Sequence, residues 1–215
     1  MEIAVRDELK ALLLKASKIN DSWRRKLAIA SVITQVFLDN DREPPIIVGG
    51  LVVATYSSGQ YATEDIDLLS SYDDFPYKVL EGLGYSRLGK DSFHKQINSY
   101  VEFPSGEFSG DVKRVLRYQV EETGLYVCVM CVEDIILDRL DSYVATNDGK
   151  SKEWVLKLLS GMYPYIDWSY IHKSAHQRGT LKELEKMQRL VKRYEGVYEK
   201  MIEETSANRQ RMDLF

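Results

Sequence analysis

The tightest constraint on what this chain can fold into is the stretch from Ile46 to Leu68. Ile46-Ile47-Val48 is a β-branched triplet suited to a buried strand. Gly49-Gly50 breaks it, and Leu51 to Tyr56 reads as a short helix that stops before Ser57-Ser58-Gly59. Asp65-Ile66-Asp67-Leu68 then alternates acid and aliphatic, the pattern of a strand with one acidic and one apolar face. Glycines between a strand and a helix let an anion reach the backbone N–H groups at the positive end of the helix. Acids two apart on a strand project to the same side, with Cα atoms roughly 6.5–7 Å apart. Their carboxylates can converge on a hard divalent cation. Without a cation or solvent the pair repels and one pKa rises. Packing alone therefore does not call for this arrangement.

Around this stretch the chain divides into three regions. Residues 1–43 read as two helices, the second capped by Asp21 and lined by Trp23, Leu27, Ala30, Ile33 and Phe37 at three- and four-residue spacing. Pro44-Pro45 forces extended backbone into the next region, 44–130. There Phe75 to Leu83 reads as a helix, Phe93 to Lys95 and Tyr100 to Phe103 as strands paired around Asn98-Ser99, and Tyr126 to Met130 as a further strand. Residues 131–215 read as helical. Leu184, Met187, Val191, Tyr194, Tyr198 and Met201 form a heptad-like seam that packs within the chain or against a second copy in a homodimer. Asn208 to Phe215 reads as a frayed tail.

On the residues Gly49, Gly50, Asp65 and Asp67, with Tyr56 and Thr63-Glu64 between them, residues 44–130 resemble the DNA polymerase beta-like nucleotidyltransferase superfamily. The likeness is to its small prokaryotic members, some of them toxin–antitoxin associated. The resemblance implies an α/β (α+β) fold: a nucleotidyltransferase core with a mixed β-sheet, flanked by N-terminal helices and a C-terminal helical region. It also implies a third carboxylate on a neighbouring strand. Glu102 in Tyr100-Val101-Glu102-Phe103 takes that place, with Asp111 the weaker substitute. Mg²⁺ or Mn²⁺ held by Asp65, Asp67 and Glu102 would activate an acceptor hydroxyl, and a second ion on Asp65 and Asp67 would bind the triphosphate. Gly49 and Gly50, with Ser57 or Ser58, would position phosphate oxygens of the nucleotide. The implied reaction moves a nucleoside monophosphate from an NTP to a hydroxyl of tRNA, protein or a small molecule. The rival expectation is a non-catalytic interaction protein of the same fold, such as an antitoxin.

Other features limit the alternatives. With 29 basic and 33 acidic residues the net charge is -4, so a long nucleic-acid track is disfavoured and a short tRNA end is not. Lys95, Lys113, Arg114, Arg117 and Arg139 are open candidates for neutralising a triphosphate. Cys128 and Cys131 read as buried thiols of a reducing compartment. His172 and His176 lack the Glu that a zinc-protease motif needs after its first histidine. Tyr163, Tyr165, Trp168 and Tyr170 read as a packing corner between helices. No secretory signal and no apolar run of spanning length is visible, so a soluble cytoplasmic protein with no membrane partner is expected.

Overall fold

Helix formation at the N-terminus follows the aliphatic spacing. The computed structural model describes the backbone of residues 3–205 and the side chains of residues 3–193. Helices α1 (Asp7–Ala16) and α2 (Ser22–Asp39) pair with each other. The Asp21 carboxylate accepts hydrogen bonds from the backbone N–H groups of Trp23 and Arg24, at 3.1 and 3.3 Å, as an N-cap should. From Leu27 to Phe37 the buried side of α2 is nearly continuous.

Two chain reversals then bring strand β1 (Ile46–Ile47), helix α3 (Gly49–Tyr56) and strand β2 (Asp65–Leu69) together. Gly49 has φ +66°, a backbone conformation that glycine adopts without steric cost. Helix α3 is buried from Gly50 to Thr55 and packs against β2 and α2. Helix α4 (Phe75–Gly82) follows, with Pro76 in its first turn, where a missing N–H costs no helical hydrogen bond. Strands β3 (Ser86–Leu88), β4 (Asp91–His94) and β5 (Ser99–Glu102) form an antiparallel meander, and β6 (Leu116–Gln119) with β7 (Tyr126–Val129) makes a hairpin.

These strands build one mixed sheet in the order β3-β4-β5-β2-β1-β7-β6. Strand β1 runs antiparallel to β2 and parallel to β7, and β2 runs parallel to β5. The parallel β2–β5 register places Asp65 opposite Tyr100 and Asp67 opposite Glu102. Ile66, Leu68 and Val101 point to the buried side and are 0–1% exposed. The acids are thereby turned to the other side.

The chain forms two compact units, the first ending at Ile135 and the second starting at Ile136, so the boundary falls in the first turn of α5 (Val132–Thr146). In the second unit α6 (Gly149–Met162) and α7 (Trp168–Arg178) pack on α8 (Leu181–Thr205). Asp148 and Asp167 cap α6 and α7, and Gly179, in the left-handed region, ends α7. Leu184, Met187 and Val191 of the expected seam are buried. Tyr194, Tyr198 and Met201, as side chains, and the tail Asn208–Phe215 lie outside the described residues. Among the described residues no helix is long and apolar enough to cross a membrane.

The Asp21 cap gives a direct check on this packing. Asp21→Ala is expected to lower unfolding stability by about 1 kcal/mol, measured by urea denaturation, with the denaturant slope unchanged. A loss near zero would contradict the cap.

Candidate functional site

Asp65, Asp67 and Glu102 are half-buried, and each offers a carboxylate oxygen lying within 4.8 Å of the others. Two neighbouring strands deliver them. The alternation of β2 points Asp65 and Asp67 to one side, and the β2–β5 register sets Glu102 directly beside Asp67. Among the described residues this is the one group of three acidic, histidine or cysteine side chains close enough to share an ion.

The loop after β1 leaves room for these carboxylates. A Cβ built on Gly49 would collide with Oδ2 of Asp67 and lie 3.1 Å from its Cγ. On Gly50 it would sit 2.7 Å from Thr63 Oγ1 and 3.0 Å from the Tyr61 ring. Close approach therefore calls for glycine at both positions, and at Gly49 the positive φ does so as well. The backbone N–H of Val48 donates to the Asp67 carbonyl at 3.0 Å, locking the diglycine segment to the acidic strand. Thr63 Oγ1 donates to Asp65 Oδ1 at 2.9 Å and so fixes that carboxylate.

Two lysines missed by the sequence reading complete the electrostatics. Lys90 lies in the Gly89-Lys90 turn between β3 and β4, where Gly89 has φ +66° as a two-residue hairpin needs. Its Nζ donates to both oxygens of Glu102, at 2.9 and 3.1 Å. The Glu102 hydrogen bond and charge raise the Lys90 ammonium above its ordinary value. Lys26 of α2 donates to Ser22 Oγ at 2.8 Å and feels the charges of Asp65 and Glu64. Burial and then Arg25 lower its pKa, against the pull of those two acids. Lys26 lines a cleft of about 290 Å³ with Trp23, Ser58, Tyr61 and Thr63. The hairpin turn was the available signal for Lys90: extending β4 back to Asp91 pairs that residue with Glu102 and puts Lys90 next to it.

The other expected residues are placed elsewhere. Ser57 and Ser58 lie at the far end of α3 from Gly50, roughly 12 Å along the axis. Ser57 Oγ donates to the Val53 carbonyl at 2.7 Å and accepts from the Tyr61 N–H, so its hydroxyl serves the helix end. Asp111 caps a 3-10 turn and is not in the acidic group. Arg114 pairs with Glu133 at 3.5 Å, Arg139 with Asp138 at 3.6 Å, and Arg117 stacks 4.2 Å over Tyr126. Lys95 and Lys113 are exposed.

The features set aside at the sequence level have local roles. Burial pushes the Cys131 thiol up to about 12 and raises Cys128 as well, which removes thiolate character near neutral pH. His172 Nε2 hydrogen-bonds Gln188 Oε1 at 3.1 Å. The Tyr163 ring packs on Trp168 at 4.6 Å between centroids.

A solved structure titled an antigenic nucleotidyltransferase-like protein, from Paracoccidioides brasiliensis, superposes with a TM-score of 0.52 over 79% of this chain and 93% of the other, at 14% identity. The likeness is one of fold. No curated protein matches. A family model described as "Nucleotidyltransferase of unknown function (DUF6036)" matches residues 25–205, which takes in most of α2, the whole sheet and the helices that follow, and the chain therefore belongs to that family.

Proposed function

We propose that this protein is a divalent-cation-dependent nucleotidyltransferase of the DNA polymerase beta-like kind, moving a nucleoside monophosphate from an NTP to a hydroxyl acceptor. The observation that carries the reading is the convergence of Asp65, Asp67 and Glu102 within 4.8 Å beside a diglycine turn that starts a helix. Family membership supports nucleotidyl transfer at the level of reaction class.

The donor set fits Mg²⁺ or Mn²⁺: three carboxylates, all hard oxygen ligands, half-buried so that water can complete the coordination. Such an ion would supply the charge that neutralises a polyphosphate and acidifies a hydroxyl. The chain's own residues do the rest. Thr63 holds Asp65 in one orientation, Lys90 neutralises Glu102 until a cation takes its place, and the bare Cα of Gly49 keeps the Asp67 carboxylate uncrowded. The N–H groups opening α3 offer donors to phosphate oxygens. Transfer then forms a bond from the acceptor oxygen to the α-phosphorus and breaks the bond to the bridging oxygen. Pyrophosphate departs with the electron pair, and the acceptor proton passes to solvent. Ser57, engaged by its own helix, takes no part. The acceptor is a hydroxyl of tRNA, of a protein or of a small molecule.

Transfer of label from an α-labelled NTP, with Mg²⁺ and all three acceptor classes present, tests the reading. Asp67→Asn is expected to reduce labelling by at least about a hundredfold, and undiminished labelling would contradict it. Nucleotide binding with no transfer to any acceptor would favour the non-catalytic partner instead. Lys90→Gln removes the ammonium that a cation must displace from Glu102. Mn²⁺ affinity, followed by electron paramagnetic resonance, is expected to tighten about two- to fivefold; unchanged or weaker binding would show that Lys90 does not restrain the third carboxylate.

A further inference from the structure

On strands β4 and β5 the usual distribution of aromatic and polar residues is inverted. Three of the four buried positions hold polar side chains, Ser92, His94 and Ser99, each 8% exposed or less, and the fourth holds Val101. The opposite positions hold Phe93 and Tyr100, and Tyr100 remains 38% exposed. Burial of aromatic area is a main source of core stability, so a sheet built for packing alone would put these rings on the inner side. The inner side has its own partners: Tyr85 Oη and Ser99 Oγ are 3.2 Å apart, and His94 packs edge-on against the Tyr85 ring. The two outer rings stack on each other, with centroids 4.5 Å apart and planes inclined by 29°.

Their position relative to the acids is fixed by register. Phe93 is opposite Tyr100, and Tyr100 is opposite Asp65. The next row on the same face reads Asp91, Glu102, Asp67. An aromatic pair thus ends in the row that begins with Asp65, one strand spacing of roughly 4.8 Å away, and lies two residues, roughly 6.5–7 Å, from the Asp91–Glu102 row. A ligand that satisfies both rows carries a polyphosphate at one end and a flat ring at the other, separated by about the width of a ribose. Aromatic side chains on a β-sheet face bind bases by stacking, with little dependence on base identity.

We infer that Tyr100, backed by Phe93, is the surface on which the base of the donor nucleotide stacks. This inference rests on the nucleotidyltransferase reading of the same site and adds the position of the nucleoside. Phe93 holds the Tyr100 ring in place, and Tyr100 meets the base. Stacking without base-edge readout makes the platform tolerant of all four bases.

The experiment is calorimetric titration with two probes in Mn²⁺: a non-hydrolysable α,β-methylene NTP and inorganic tripolyphosphate, which has no base. Tyr100→Leu is expected to weaken the NTP analogue about tenfold or more, to leave tripolyphosphate within twofold, and to keep the wild-type melting temperature within a few degrees. Tyr100→Phe should bind both probes as wild type does. Tyr100→Trp provides a second readout if the leucine variant does not fold: fluorescence beyond that of wild type should be quenched by the NTP analogue and not by tripolyphosphate. Equal loss of both probes, or no loss of either, overturns the stacking role. Dependence of a triphosphate-free single-stranded RNA on Tyr100, with the NTP analogue unaffected, overturns it too by assigning the ring to an acceptor base. If wild type binds neither probe, the polyphosphate site itself fails and this inference with it.

Discussion

Three carboxylates drawn to within 4.8 Å of one another are the constraint around which the first unit is arranged. Like charges at that distance repel, and holding them together calls for compensation. The fold meets the requirement by geometry and by charge. Gly49 has no side chain where Asp67 needs space, and Gly50 none where Thr63 and Tyr61 pass. Thr63 donates to Asp65, and Lys90 spans both oxygens of Glu102. Removing a supporting residue would leave the same charges without their means of coexistence. The short strand β1 and the immediate start of α3 follow from this need, since the diglycine turn must sit against the acidic strand.

The same face of the sheet organises the chemistry around the acids. One row across β4, β5 and β2 carries Asp91, Glu102 and Asp67, and the neighbouring row carries Phe93, Tyr100 and Asp65. Each row comes from residues two apart along a strand, so the period-two geometry of the strands separates a charged strip from an aromatic one. Hydrophobic residues of β2 and β5 on the other side hold the sheet to its buried core. The site therefore rests on rigid secondary structure, with Lys90 at the hairpin turn as its exposed component.

Much of this was legible in the sequence because it depends on local chemistry. The Ile46-Ile47-Val48-Gly49-Gly50 break, the Asp65/Asp67 alternation and the Asp21 cap each follow from the preferences of neighbouring residues. The sequence reading also expected Glu102 on a neighbouring strand, through resemblance, and the structure sets it beside Asp67. Lys90 and Tyr100 were not legible as members of the site, because their relation to Asp67 and Asp65 is a matter of pairing register between strands distant in sequence. Strand β4 begins at Asp91, where Phe93 was expected, and β3 was not foreseen, since Ser86-Arg87-Leu88 is exposed at all three positions and carries no alternation. Ser57 resembled a phosphate ligand because hydroxyls do that work in many sites. Here the unsatisfied carbonyls at the end of α3 claim it first.

Anomalous diffraction from crystals soaked in Mn²⁺ tests the central claim most directly. The account predicts a peak within about 2.0–2.6 Å of oxygens from Asp65, Asp67 and Glu102 together, with the Lys90 ammonium displaced from Glu102. A peak elsewhere on the surface, or carboxylates still held by Lys90 in saturating Mn²⁺, would contradict it.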